Sequence, residues 1–355
     1  VTLVAAEGGR HAHEVKRVGG RLIDLPLDTK NPLRLRGNAR RLEQVIAEEG
    51  VDLVHARSRA PAWSALWAAR RSGVPLVTTY HGAYSATYPG KTLYNSVMAR
   101  GDRVIAISEH IARRIADQHG VSGERVKVIH RGVDLEVFDP ARTTAPRVAT
   151  LAEKWRTPDD RPVIMLPGRL TRWKGQLVLL QALAKLKDRD FLCILVGDDQ
   201  GRESYRREIE KTIDALDLRP KVLVAGHCGD MAAALMLADV VVSASMEPEA
   251  FGRVMAEANA MGKPVVAFDH GGAQEIVIPT ETGWLAKPGD VDGLGKALRQ
   301  ALSLTADERE SLGRRAMAHA RERFSKEGMC AKTLDVYEAL IAAAWAGRQA
   351  EGAAT

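Results

Sequence analysis

The sequence predicts an α/β protein of two similar Rossmann-like domains, each a doubly wound parallel sheet with helices on both faces. Three observations carry that expectation. Short, almost continuous apolar runs alternate with helix-like stretches along most of the 355 residues, as strands covered on both faces require. One strand–loop–helix–strand unit is written twice: VDLVHARS (51–58), APAWSALWAARRS (60–72) and GVPLVTTYHG (73–82) correspond to ADVVVSAS (238–245), GRVMAEANAM (252–261) and GKPVVAFDHG (262–271). Asp52 precedes Ser58 by six residues, as Asp239 precedes Ser245; Gly73 precedes His81 by eight, as Gly262 precedes His270. Finally, the notable polar residues cluster where apolar runs end, and open parallel sheets bind ligands beyond the carboxyl ends of their strands.

The elements follow in order. VTLVAA (1–6) is an apolar run at the front, without an initiator methionine; it reads as a chain whose first part is missing, processed or numbered from inside a domain. KNPLRLRGNARRL (30–42) is basic and partly amphipathic, a solvated face with membrane-surface docking as the alternative. In each copy of the repeat Gly-x-Pro ends the helix, the glycine by turning left-handed and the proline by blocking continuation. Further strands are RVIAIS (103–108), KVIH (127–130), PVIMLPG (162–168), FLCILVG (191–197) and KVLVAG (221–226). The proline-rich, mixed-charge stretch 139–162, with a short helix at 147–155, marks the junction between domains 1–145 and 146–325. The segment 326–355 continues a helix expected over 325–345, packing back toward the first domain, and ends in a frayed tail, GRQAEGAAT.

Apolar residues make up 45% and charged residues 27%, the balance of a soluble globular protein. No apolar run reaches bilayer-spanning length, and no charged-then-apolar signal segment opens the chain. Cys193, Cys228 and Cys330 are widely spaced and odd in number. That argues against a disulfide framework or metal cluster and suits a reducing, cytoplasmic compartment. A net charge of +6 favours anionic partners. Aromatics are only 5% and are not interleaved with basic residues, so nucleic acid is not the expected partner.

Four strand ends in the second half carry the chemistry. PVIMLP runs into GRLTRWKG (168–175), CILV into GDDQGR (197–202), VLVA into GHCGD (226–230), and VVVSAS into MEPEAFGR (246–253). Behind Gly168, Arg169 and Lys174 stand five apart and either clamp a diphosphate, one as a fork and one as a point charge, or form a solvated basic turn. AFGRV (250–254) places backbone amides at a helix N-terminus, an anion site by geometry and dipole. Glu249 lies before that helix and Glu257 about one and a half turns inside it, so they are not helix-surface neighbours. Glu257 suits a vicinal diol such as a ribose, and Glu249 the hydroxyls of a sugar on the phosphate; the bland reading makes both surface glutamates. No GxGxxG or Walker motif is present.

These residues carry a family resemblance. EPEAFGRVMAE (247–257) resembles the Glu-x7-Glu signature of retaining GT-B glycosyltransferases of family 4, GRLTRWKG their phosphate-clamping strand end, and IHRGVDLEVFDP (129–140) their domain-junction strand. The likeness covers nearly the whole chain, and HARSRAPAW and VGDDQGR look most like bacterial lipopolysaccharide-core or related envelope-glycan transferases. It implies a GT-B fold, two Rossmann-like domains facing across a cleft, and retaining, metal-independent hexosyl transfer from a nucleotide diphosphate sugar to a glycan or lipid-linked acceptor. No cofactor is implied. The implied place is cytoplasmic, with peripheral contact to an anionic membrane surface as a further option. By this resemblance Arg169 and Lys174, with Gly168 and Gly197 at their strand ends, bind the donor diphosphate. Glu257 binds the ribose, Glu249 the transferred sugar, and Ala250, Phe251, Gly252, Arg253 and Val254 the donor phosphate and sugar. His81 meets the donor sugar from the first domain, and His227 and Cys228 lie where the base is contacted. Glu249, His81, Arg169 and Lys174 form the implied catalytic set.

One departure is visible. Family members begin with a strand, a glycine-rich loop and a helix, whereas 1–6 looks like the second strand. Loss of a central strand would expose sheet edges. Rival readings are a glycoside hydrolase, which also needs two carboxylates, a sugar-nucleotide epimerase, and a non-catalytic nucleotide-sugar-binding remnant. Asp198-Asp199 reads as a strand-end turn rather than a metal site, and His270 as part of a turn. His11 and His13 read as surface residues, and Trp63 and Trp67 as core.

Overall fold

The computed structural model describes residues 2–8, 12–82, 84, 89–158 and 160–353; His11 lies outside them. The chain forms two compact units, Val1–Ile129 with Ala331–Thr355, and His130–Cys330.

The second unit holds one six-stranded parallel sheet. Its strands are β7 (Val163–Pro167), β8 (Leu192–Val196), β9 (Val222–Gly226), β10 (Val240–Ser243), β11 (Val265–Phe268) and β12 (Gly283–Ala286). They lie in the order β9-β8-β7-β10-β11-β12, so the first strand of the unit is central and the order reverses there, as in a doubly wound sheet. Every residue of β7, β8 and β11 is buried, which is why their sequences are unbroken apolar runs. Helices Gln176–Ala184 and Val291–Leu302 bring Leu179, Leu183, Leu294 and Leu298 onto one face. Helix Arg253–Ala260 packs against Ala306–Phe324.

The first unit holds β1 (Leu3–Ala6), β2 (Arg21–Asp24), β3 (Val54–Ala56), β4 (Leu76–Tyr80), β5 (Arg103–Ala106) and β6 (Val126–Val128). All pairings are parallel, but they fall into two sheets: β1 with β2, and β3-β4-β5-β6. Helix Pro32–Glu49 is capped by Asn31, whose side chain accepts from Leu33 and Arg34, and ended by Gly50 at φ 59°. It absorbs most of the basic stretch 30–42, burying Leu35, Asn38, Ala39 and Ile46.

The structure moves three boundaries. The units divide after Ile129, not 145. Helix Ala145–Trp155 lies in the second unit, on the side of the junction where the sequence reading already had it, and Arg147 forks onto Asp230 at 2.7 and 2.8 Å. The C-terminal helix runs Lys326–Ala353, through most of the expected frayed tail, because Ala, Arg, Gln and Glu there are strong helix formers. From Ala331 onward it clusters with the first unit. Strands β2 and β12, RLID and GWLA, were not read from the sequence because neither carries the β-branched apolar run that marks the other strands.

Candidate functional site

The strand-end loops of the second unit are sewn together by backbone contacts that only glycine permits. At Gly175, φ is 73° and a Cβ would sit 1.8 Å from the Ala244 carbonyl oxygen. That approach lays the loop after β7 against the loop after β10, and the Met246 amide donates to the Trp173 carbonyl at 2.6 Å. A Cβ on Gly197 would meet the Gly168 oxygen at 1.9 Å, joining the loops after β8 and β7. The Gly197 amide in turn donates to the Gly226 carbonyl, reaching the loop after β9. Gly271 and Gly272, after β11, close the row: the Gly272 amide donates to the Glu249 carbonyl at 2.8 Å. A Cβ on Gly271 would lie 2.5 Å from that same oxygen.

This stitching brings two of the sequence candidates into contact. Lys174 Nζ donates to Glu249 Oε1 at 2.6 Å, with the two side chains only 14% and 15% exposed. Ser245 Oγ donates to the same oxygen at 2.6 Å. The Lys174 ammonium also lies 4.4 Å from the centroid of the Trp173 ring. His270 Nε2 donates to the Ser245 carbonyl at 2.8 Å, so this histidine is more than a turn residue: it fixes the loop that carries Glu249. Ser245, Trp173 and His270 were not singled out in the sequence as partners of this pair. For Ser245 and His270 the signal was the doubled Asp-to-Ser and Gly-to-His spacing, which places each at a strand's carboxyl end; Trp173 lies outside the repeat and carried no such signal.

Arg169 is exposed and loosely held, its guanidinium 3.5 Å from Gln200 Oε1. Its backbone is fixed by the buried Gln176, which donates to the Arg169 carbonyl at 3.0 Å and accepts from the Tyr205 hydroxyl at 3.1 Å. Asp198 and Asp199 accept from the amides of Gln200 and Gly201, the local turns of a strand end.

Helix Arg253–Ala260 starts at Gly252, φ 93°, with no capping side chain. A helix N-terminus without a side-chain cap has donors and a positive dipole end to offer an anion. Glu257, 6% exposed, points its Oε1 at Arg253 Nε, 2.8 Å away. Burial raises its pKa, opposed by Arg253 and Arg131. Phe251 does not present its ring to this surface: it is 2% exposed, its centroid 5.5 Å from Phe324 and 6.0 Å from His130. Only its backbone lies in the loop, because the ring is a core anchor for the turn. His227 is exposed in the loop after β9, and Cys228, half-buried, donates to the Asp230 carbonyl at 3.3 Å. His81 follows β4 in the first unit. Trp63 and Trp67 pack together at 5.9 Å and are half-buried. His13 is exposed.

Among the described residues no group of three or more His, Cys, Asp or Glu is placed to hold a metal ion. No helix among them is long and apolar enough to cross a membrane.

Two Rossmann-like units, with a lysine, an acid and an uncapped helix converging at the strand ends of the second, are the build of a GT-B glycosyltransferase. The comparisons agree and narrow the class. The family model "Glycosyl transferases group 1" matches residues 148–319, and "Glycosyltransferase Family 4" matches residues 1–137. A D-inositol 3-phosphate glycosyltransferase of Xylanimonas cellulosilytica is 33% identical over 318 residues, 84% of this chain and 74% of the relative. A solved glycosyltransferase from Rickettsia africae superposes with a TM-score of 0.89 at 34% identity, covering 96% of this chain and 90% of that one. Anabaena Alr3699/HepE in complex with UDP gives 0.83 at 26%, covering 95% and 92%. The chain belongs to the group 1, family 4 glycosyltransferases.

Proposed function

We propose that this enzyme transfers a hexose from a nucleotide diphosphate sugar, with retention of anomeric configuration, to a hydroxyl of an envelope glycan or lipid-linked acceptor. The observation that carries the reading is the Lys174–Glu249–Ser245 cluster beside the uncapped helix at Gly252. A lysine held on a carboxylate at a helix N-terminus is poised to exchange that partner for a diphosphate. On donor binding the ammonium, Arg169 and the helix-end amides take up the charge that grows on the leaving diphosphate. Glu249, still held by Ser245, is then released toward the sugar hydroxyls. Glu257 serves the ribose, with the backbone at Gly168, Gly197 and Ala250–Val254 around the phosphates and sugar, and His227 and Cys228 near the base. His81 is assigned to the donor sugar by family resemblance.

In the proposed step the bond from the anomeric carbon to the diphosphate oxygen breaks, its electron pair leaving with the diphosphate. The acceptor oxygen bonds to the same face, and its proton passes to a departing phosphate oxygen. UDP-glucose is the first donor to test, since the Anabaena relative is solved with UDP-glucose. D-inositol 3-phosphate, for which the Xylanimonas relative is named, belongs in the acceptor panel with lipopolysaccharide-core and lipid-linked glycans. The site of action in this reading is cytoplasmic, at or near an anionic membrane surface.

The test is product analysis by NMR, with and without acceptor and with and without a chelator. Retained configuration, strict acceptor dependence and indifference to chelator support the proposal. An inverted product overturns retention. Donor epimerised without acceptor supports the epimerase instead, and calorimetric donor binding without turnover on any acceptor supports the non-catalytic remnant.

A further inference from the structure

We propose that His130 is a positioning residue for sugar transfer: bonded to Glu275 and packed on Phe251, it holds in place the turn that carries Glu249. The inference rests on the reading of Glu249 as the acid that meets the sugar, and goes beyond it to what keeps that acid where it is. The segment that brings His130 to the turn is itself pinned. The Val133 amide donates to the Phe324 carbonyl at 2.7 Å, and the Lys326 amide returns to the Val133 carbonyl at 2.9 Å. Lys326 Nζ then reaches Asp134 Oδ2 at 2.7 Å. Three residues before Val133, the His130 ring stands edge-on to Phe324 at 5.3 Å and lies 6.0 Å from Phe251; the two phenylalanines meet at 5.5 Å. Phe251 and Phe324 are 2% and 1% exposed, so this triangle of rings lies inside the second unit.

At its edge His130 Nε2 donates to Glu275 Oε2 at 2.9 Å, the two side chains 9% and 10% exposed. A carboxylate at that depth is costly unless donors meet it, so the contact orders Glu275 as well as the ring. Glu275 belongs to the short helix Ala273–Ile276, which starts at Gly272. Its amide donates to the Gly272 carbonyl, and the Gly272 amide donates to the Glu249 carbonyl at 2.8 Å. Gly272 also lies flat on the Phe251 backbone, where a Cβ would meet the Phe251 oxygen at 2.0 Å. The circuit is then complete. Gly272 grips the turn Glu249–Gly252 at its backbone, His130 grips it at the Phe251 ring, and Glu275 joins the two grips. Histidine suits the place because one side chain supplies both a flat face for the rings and an N–H for the carboxylate. Displacing a reacting group by about 1 Å costs on the order of a hundredfold in rate, so a grip on this turn bears on turnover.

The test compares His130→Phe, which keeps a ring on Phe251 and loses the donor, with His130→Gln, which keeps an N–H for Glu275. Leu298→Ala, in the core outside this triangle, controls for lost stability. In ligand-free protein the Gly272 amide should exchange faster by about tenfold or more in His130→Phe, with the amides of β7 and β8 unchanged. His130→Gln should regain most of that protection. With UDP-glucose and a working acceptor, kcat of His130→Phe should fall by about tenfold or more, while UDP, which has no sugar, binds within about threefold of wild type. Equal Gly272 exchange in wild type and His130→Phe overturns the proposal. So does a rise shared by β7 and β8, as in Leu298→Ala, or a loss of UDP affinity as large as the loss of kcat. The exchange measurement needs no donor, so a wild type inactive on UDP-glucose would fault the donor reading and not the role of His130.

Discussion

Glu249 and Glu257 sit eight residues apart and answer to opposite environments. Glu249 is held by two donors, Lys174 and Ser245; Glu257 is buried beside one arginine of its own helix, and desolvation raises its pKa. A carboxyl raised in this way costs folding free energy once pH climbs above its ordinary value, and that cost is tolerable where a ligand uses the charge. Glu257→Gln should therefore leave the melting temperature of the ligand-free enzyme unchanged or raise it. It should weaken UDP binding about tenfold or more, the scale of one charged hydrogen bond, without altering inhibition by inorganic pyrophosphate. Calorimetry on both ligands checks this; equal losses for UDP and pyrophosphate would remove Glu257 from the ribose.

At the scale of elements, the site depends on how closely loops approach. The sequence showed Lys174 and Glu249 at two strand ends, but not their contact. The contact is tertiary: it exists because Gly175 lets the Trp173–Gly175 backbone lie on Ala244–Met246, and no periodicity encodes that. For the same reason the buried ring of Phe251 was invisible, since a helix elsewhere in the chain supplies Phe324. The strands were legible where β-branched and apolar residues run together or the repeat marks them, even when as short as β3 and β6, and missed at β2 and β12, where RLID has only two apolar residues between charges and GWLA contains no β-branched residue. Gly175→Ala would force a Cβ against a backbone oxygen at a left-handed φ. The expected loss is roughly 2–4 kcal/mol of second-unit stability, read from urea unfolding, together with weaker donor binding. Wild-type stability in this variant would refute the stitching account.

At the scale of the whole molecule, buried histidines tie stability to pH, and in the first unit the residue is His55. His55 Nε2 lies 2.7 Å from Thr79 Oγ1, and Nδ1 2.5 Å from the Tyr337 hydroxyl on the C-terminal helix. Burial, then Arg57 and His81, push its pKa down to about 4. The unfolded chain takes up this proton near pH 6.5 and the folded chain does not, so stability is intact above pH 6.5 and falls as pH drops toward 4. Between pH 6.5 and 5 the loss should be about 2 kcal/mol, seen in the first-unit unfolding transition and flattened in His55→Gln. A wild-type profile identical to that of the variant would show that His55 carries none of it.

The central claim is that Lys174 trades Glu249 for the donor diphosphate. Titration calorimetry of UDP into wild type and Lys174→Met measures it directly, since methionine keeps most of the apolar stem and removes the charge. The account predicts affinity lower by about two powers of ten, the loss of a charge-assisted contact to the diphosphate. Equal affinity in the two proteins would contradict it.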